Sequence, residues 1–196
     1  MQLTITSRWI AVPAVVLALA GLAGCGDGSG GSAGTGDGST TPTTSGSADA
    51  ATKLMDVCKA VSTDDVGVAL GGVTVTADAD PSSASGNGCT YNQEDLRALG
   101  VAISAAPVIE GNGGIEGAKT GTAAVISGSA EDIDGVGDAA FVVVGKVAGG
   151  DNDQAQGVVQ VGSQLITVFV QQGNGLPTEQ VKKAAVDVLT LVASKA

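Results

Sequence analysis

The chain contains no histidine and few aromatic residues. Histidine is the commonest general base and the commonest protein metal ligand, so its absence removes the simplest routes to acid–base catalysis and to a metal site. Apart from Trp9, which lies near the N-terminus, the aromatic residues are Tyr91, Phe141 and Phe169. Sites for sugars, nucleotides and protein hot spots rely on aromatic rings, so this scarcity weighs against such sites.

Basic residues are also scarce, with 9 Lys and Arg against 20 Asp and Glu and a net charge of −11. One base, Arg8, and no acid precedes Cys25, so the chain from Cys25 onward carries a net charge of −12. Phosphate contacts need clustered Lys and Arg, so no nucleic-acid partner is expected. An anionic lipid surface would not attract this chain by charge, so residence at a membrane would require an anchor.

The motifs of covalent and phosphate chemistry are missing. Without histidine, a nucleophilic serine would need a lysine as its base, but the chain has no Ser-x-x-Lys. Ser194 and Lys195 are adjacent near the end of a predicted helix, which would point their side chains apart. The glycine pairs match no phosphate-binding loop. We therefore predict no catalytic residue and no cofactor, and we do not expect an enzyme.

Two acidic clusters are candidates for calcium binding. One contains Asp132, Asp134 and Asp138, and the other contains Asp151 and Asp153. Calcium takes about six to eight oxygen ligands at defined spacing, and neither cluster matches the loop pattern that supplies them. We interpret both clusters as solvated turns in an acidic protein and predict no metal site.

The N-terminal segment, residues 1–24, has the organisation of a signal peptide. Arg8 supplies the positive end, and an apolar run of 12 residues follows, which is shorter than the roughly 20 residues that span a bilayer. The string Leu-Ala-Gly-Cys that ends at Cys25 resembles the lipobox of bacterial lipoproteins. The resemblance implies cleavage before Cys25, lipidation of its thiol and anchoring at the extracytoplasmic face of the cell membrane. The alternative is an ordinary secretory signal with an incidental cysteine.

Residues 25–50 begin with Cys25 and continue as a stretch of mainly Gly, Ser, Thr and Asp. This composition predicts a flexible linker, which would span roughly 28 Å on average. A single folded domain is predicted for residues 51–196.

The pattern of this domain predicts an α+β fold, with N-terminal helices, a mostly antiparallel sheet and a C-terminal helix packed on one face. Helices are expected at about 50–60 and after the capping box that begins at Ser62, where Gly71 and Gly72 end the second helix. A long helix capped by Thr178 should bury one stripe of side chains. That stripe consists of Val181, Ala184, Ala185, Val188 and Val192.

Strands are predicted where apolar residues alternate or cluster. The predicted strands are 73–76, 89–91, 99–103, 123–126 (weak), 139–144, 157–161 and 164–170. Gly162 and Ser163 should form a two-residue hairpin turn, and the strand after it is apolar on both faces, which predicts a central position. Residues 107–121 fit either a short helix or a loop.

Cys58 and Cys89 remain as an even pair once Cys25 is lipidated. In an oxidising compartment such a pair predicts a disulfide, which would close a loop of about 30 residues and contribute roughly 3–4 kcal/mol. The alternative is two buried free thiols. No Cys-x-x-Cys is present, so a redox role is not expected.

The order and spacing of several short motifs resemble a large family of actinobacterial lipoproteins, of the mycobacterial and streptomycete type, that carry a domain of unknown function. The resemblance covers roughly residues 54–170 and is weakest in the Gly-rich stretch 107–121. It implies a cell-envelope location and a bridge between the two cysteines, and it supplies no catalytic residues. The motifs are Cys58, Val66-x-x-Ala69-Leu70-Gly71, Gly88-Cys89-Thr90-Tyr91 and Gly135-Val136-Gly137-Asp138-Ala139-Ala140-Phe141.

Two functions follow as expectations. The first is a non-enzymatic binding or accessory domain that presents a surface to another envelope component. The alternative is a carrier with an apolar cavity for a lipid-like ligand, since the Val- and Ala-rich composition suits either a cavity or a tight core. A hydrolase is a third possibility, but it lacks a visible base. The net charge predicts that a partner's contacting surface is neutral or basic.

Overall fold

The computed structural model describes residues 53–80, 83, 86–147 and 149–196. The predictions for the signal peptide, for Cys25 and for the linker up to residue 50 lie outside the described residues. Within them the chain is an α+β fold dominated by an antiparallel sheet, as predicted.

Among the described residues the sheet contains eight strands, and every pair is antiparallel. The strands are β1 (Thr76–Ala79), β2 (Gly88–Asn92), β3 (Gly100–Pro107), β4 (Ile126–Ser127), β5 (Ala130–Asp132), β6 (Ala139–Val147), β7 (Asp153–Val161) and β8 (Gln164–Gln171). Their order in the sheet is β1-β2-β3-β8-β7-β6-β4, with β5 also paired to β6. The strand β8 is central, which confirms the prediction from its apolar faces. The helices are α1 (Val57–Ala60), α2 (Thr63–Ala69), α3 (Gly114–Val125) and α4 (Thr178–Lys195), with a 3-10 turn at Glu110–Asn112.

The main core lies between one sheet face and the helix α4, and residues of α1 and α2 pack into the same core. All five residues of the predicted α4 stripe are buried, which confirms that stripe. The helix approaches the sheet closely at Gly157, where an added Cβ would lie 2.3 Å from Leu189 Cδ1. A glycine at this position of β7 therefore sets how near α4 can lie to the sheet.

The turn between β7 and β8 is the predicted two-residue hairpin. Gly162 has φ +57°, and no described residue other than glycine has positive φ. A two-residue turn with positive φ at only its first central residue is a type II′ turn, whose backbone twist matches that of the flanking strands.

The predicted helix ends are partly confirmed. Ser62 caps α2, since its hydroxyl accepts a hydrogen bond from the Asp65 backbone N–H at 3.1 Å. Gly71 and Gly72 follow the helix with positive φ. The prediction that Thr178 caps α4 is wrong, because Pro177 occupies the cap position and the Thr178 hydroxyl instead donates to the Asp153 carboxylate.

The Gly-rich stretch, which fitted either a short helix or a loop, contains the first part of the helix α3, on the sheet face opposite α4. The strand predicted at 123–126 is mostly the end of α3, and β4 keeps only Ile126 and Ser127. Ile115 and Ala118 of α3 pack on a second, smaller core of four buried residues. Burial against the sheet thus stabilises a helix whose glycines disfavour it locally. That core is Ile126, Phe141, Val143 and Val158.

The strand predicted at 73–76 is also displaced, since β1 begins at Thr76 and ends at Ala79. Val73 is held to the end of α2, because its N–H donates to the Gly67 carbonyl at 3.1 Å. The apolar composition of 73–75 therefore reflects packing against the helix rather than strand pairing.

Candidate binding face

The predicted disulfide is present between Cys58 and Cys89, with a Cα–Cα distance of 5.2 Å. It joins α1 to β2, and Cys89 is fully buried. The two thiols are therefore not free, and the bridge is a structural tie between a helix and the sheet.

Tyr91 forms a second tie between the same two regions. Its hydroxyl donates to the Val61 carbonyl at 2.9 Å, and the side chain is fully buried. Burial raises the pKa of Tyr91 to about 12. A tyrosine whose pKa is raised this far, and whose hydroxyl is hydrogen-bonded to the backbone, has a structural role.

The acidic clusters serve mainly as structural contacts. Asp132 pairs with Lys119 of α3 at 2.5 Å and raises the pKa of that lysine. Asp138 accepts a hydrogen bond from the Gly162 N–H at 2.7 Å. In the parts of the chain that the structure describes, no three Cys, Asp or Glu side chains are placed to hold a metal ion.

Ser194 and Lys195 have separate partners, as their adjacency predicted. The Ser194 hydroxyl donates to the Leu191 carbonyl at 2.6 Å. The Lys195 ammonium lies 3.0 Å from the Asp65 carboxylate, and this pair, with the Ser62 hydroxyl, lowers the pKa of Asp65. The lysine therefore fastens the end of α4 to α2 and does not contact the serine.

The sheet face opposite α4 is the largest feature that the sequence analysis did not identify. The helix α3 contacts β4, β6 and β7, and β2, β3 and β8 remain without a covering helix among the described elements. The residues of these three strands that point to this side are mostly half-buried. They are Gly88, Thr90, Asn92, Gly100, Ala102, Ser104, Ala106, Leu165, Thr167, Phe169 and Gln171.

None of those described side chains carries a charge. The adjoining strand β7 continues the pattern, since the side chains that alternate to this face are amides and one valine. They are Gln154, Gln156, Val158 and Gln160. We call the residues of β2, β3 and β8 on this side the open face. In a chain with a net charge of −11, these three strands form an uncharged patch, beside which the edge strand β1 places Asp78 opposite Thr90.

One end of the open face forms a cleft of about 230 Å³. Asn92, Gln171 and Gln154 line it, together with Gly100 between the first two. A Cβ on Gly100 would lie 2.9 Å from Asn92 Oδ1 and 3.6 Å from Gln171 Nε2. Gly100 is itself buried, so the Asn92 and Gln171 side chains lie close over it, and we call this place the amide cleft.

Two other amides beside the cleft are already engaged. Gln93 donates to the Leu99 carbonyl at 3.0 Å. The buried Gln172 donates to the Asp153 carbonyl at 3.1 Å and accepts from the N–H groups of Asn174 and Leu176 at 3.0 and 3.2 Å. The Gln172 bonds hold the loop that precedes α4. Both Gln93 and Gln172 are therefore held in place beside the cleft by bonds within the protein.

Four further clefts along the described residues, of about 200, 280, 390 and 520 Å³, also open to solvent. The largest of these four lies between α2 and α4, beside Val68, which is 75% exposed. None of these clefts is an enclosed apolar chamber of the kind expected for a lipid carrier.

No protein-family model, curated protein or solved structure matches this chain. The resemblance to actinobacterial lipoproteins therefore stays a prediction. No helix in the described ranges has the length and apolar character needed to cross a bilayer.

Proposed function

We propose that this chain is a membrane-anchored extracytoplasmic lipoprotein whose folded domain binds another component of the cell envelope through the open face. The resemblance of the segment ending at Cys25 to a lipobox supports the anchor. The observation that carries the binding role is the uncharged surface of β2, β3 and β8. Core regions of protein interfaces are depleted in charge, whereas the rest of this chain is strongly acidic.

The chemistry of the site favours binding over catalysis. Its polar groups are amides and hydroxyls, which donate and accept hydrogen bonds but do not exchange protons near neutral pH. The other side chains of the open face are apolar. The nearest strongly perturbed group is Tyr91, and its hydroxyl is buried on the other side of the sheet.

The anchor is tested by replacing the residue that would carry the lipid. Mass spectrometry of the membrane fraction should find a mature chain that begins with lipidated Cys25. A Cys25→Ala variant should leave the membrane fraction. A variant that partitions as the unmodified protein does would refute the anchor.

The binding role is tested by placing a charge on the open face. Thr167→Lys introduces a long side chain whose ammonium reaches solvent, so the domain should stay folded. After chemical cross-linking of intact cells, the partner that co-purifies with the unmodified protein should be lost from this variant. The control Thr190→Lys, on the exposed side of α4, should retain it. Equal recovery from both variants would contradict the proposal, and an apolar ligand found by native mass spectrometry would favour a carrier.

A further inference from the structure

We propose that the amide cleft binds an extended, uncharged peptide segment of a partner protein. This inference rests on the proposed function and identifies the part of the open face that recognises the partner. It is carried by three carboxamides, from Asn92, Gln154 and Gln171, that line the same cleft.

The three amides are available to a ligand. No side-chain hydrogen bond joins Asn92, Gln154 or Gln171 to another described residue. Each carboxamide offers an N–H donor and a carbonyl acceptor. A peptide backbone offers the same two groups, and both must be satisfied when it is covered. The cleft can therefore pair with main chain without depending on particular side chains.

The spacing of the amides fits a short stretch of chain. Asn92, Gln171 and Gln154 lie on β2, β8 and β7, and β3 contributes Gly100 between the first two. Neighbouring strands are about 4.8 Å apart, so this row spans about 14 Å, the length of about four extended residues.

Gly100 lets two of the amides lie close over β3. It is buried and is not among the glycines with positive φ, so the conformation of β3 does not require glycine at this position. An added Cβ would lie 2.9 Å from Asn92 Oδ1 and 3.6 Å from Gln171 Nε2. The glycine therefore makes room for the Asn92 and Gln171 carboxamides at this end of the sheet.

The lining of the cleft favours peptide over sugar. It contains no aromatic ring on which a sugar could stack. It does contain Leu96, which is 84% exposed and offers an apolar contact for a ligand side chain. The single carboxylate is Asp95, whose Oδ1 accepts from the Arg97 N–H at 3.0 Å. Apart from that carboxylate the lining is uncharged, so it offers an uncharged segment hydrogen-bonding groups and would repel an acidic one.

The experiment uses the full-length chain, purified in detergent, with two probes. A library of random heptapeptides is selected for binding, and a glycan array is tested in parallel. Selected peptides should be poor in charged residues at their centres. Their affinity should fall about tenfold or more for Asn92→Ala/Gln171→Ala, because two hydrogen-bonding groups are lost.

Two further variants separate the site from the fold. Gly100→Ala places a Cβ 2.9 Å from Asn92 Oδ1, so it should displace that amide and also weaken peptide binding while the domain stays folded. The control is Gln160→Ala, which removes an amide of the same strand face outside the cleft and should bind peptides normally.

Three outcomes would overturn the inference. These are peptides that bind all variants equally, glycans that bind in a cleft-dependent way, and no selection by either probe. The first outcome would refute the cleft as the peptide site but not the open face as a binding surface, because the cross-linking experiment with Thr167→Lys tests that surface independently. A loss of the cross-linked partner with Thr167→Lys, beside normal peptide binding by Asn92→Ala/Gln171→Ala, would refute the cleft alone.

Discussion

The Tyr91 hydroxyl donates to the Val61 carbonyl at 2.9 Å, two residues along β2 from the cysteine that bridges to α1. The hydrogen bond and the disulfide thus fasten the same helical region to the same strand. Because both ties lie on the α4 side of the sheet, they hold the core in place and leave the opposite face available for binding.

The titration of Tyr91 tests this arrangement directly. It is the only tyrosine in the chain, so tyrosinate absorbance follows this residue alone. The folded protein should ionise at a pKa of about 12, against about 10 when unfolded.

Since the folded pKa is raised, the stabilisation is complete below about pH 10 and is lost as the pH rises towards the folded value. Across this pH window, the free energy of unfolding should fall by about 2–3 kcal/mol more for the unmodified protein than for Tyr91→Phe. Denaturant unfolding at several alkaline pH values measures the difference. Parallel curves for the two proteins would show that Tyr91 is not buried as described.

Loss of the disulfide should destabilise the domain without changing its fold. Cys58→Ala/Cys89→Ala frees a loop with a sequence separation of 31, for which the chain-entropy model gives about 3–4 kcal/mol. Urea unfolding of the variant and of the chemically reduced protein should show similar losses. An unchanged unfolding midpoint in both would contradict a structural bridge.

Gly157 and Leu189 should be energetically coupled. Gly157→Ala places a Cβ 2.3 Å from Leu189 Cδ1, and such overpacking costs about 1–3 kcal/mol. Leu189→Ala should lower the free energy of unfolding by about 2–5 kcal/mol. The double variant should lose less than the sum of the two single losses, because the new methyl occupies part of the space that the leucine leaves.

A matched control is available in α3. At Gly121 an added Cβ meets nothing within 4 Å, so Gly121→Ala should be neutral or stabilising by up to about 1 kcal/mol. Strict additivity at Gly157 and Leu189, measured by thermal unfolding, would mean that α4 does not press on the sheet there.

Val188→Asp should unfold the domain or lower its melting temperature strongly. Val188 is fully buried on the α4 stripe, and a carboxylate placed there would have no partner in the core. Thr190→Asp, two residues later on the exposed side of the same helix, should change stability by no more than about 0.5 kcal/mol. Circular dichroism melts of the two variants provide the comparison, and equal melts would mean that the buried face is assigned wrongly.

Regular spacing of apolar residues, together with glycines that mark turns and helix ends, made much of the fold predictable from the sequence. The α4 stripe, the hairpin at Gly162 and the central position of β8 each depend on local patterns that tertiary structure did not override. The helix α3 could not be assigned, because Gly114, Gly117 and Gly121 lower its local propensity and only packing on the sheet stabilises it.

The candidate site was harder to predict because its parts lie far apart in the sequence. Asn92, Gly100, Gln154 and Gln171 meet only through the order of the strands. The alternation of Gln154, Gln156 and Gln160 in β7 was a usable signal, since amides at every second position indicate a polar, uncharged sheet face. Without the strand order, that signal did not show that Asn92 and Gly100 belong to the same surface.

The most direct test of a binding role for the open face is site-specific photo-cross-linking in the native cell. A photoreactive amino acid at position 167, in the middle of β8, should form an adduct with one envelope protein, and one at position 190 on α4 should not. The adduct should weaken when Cys25→Ala removes the anchor. An adduct from position 190 alone, or from neither position, would contradict the account.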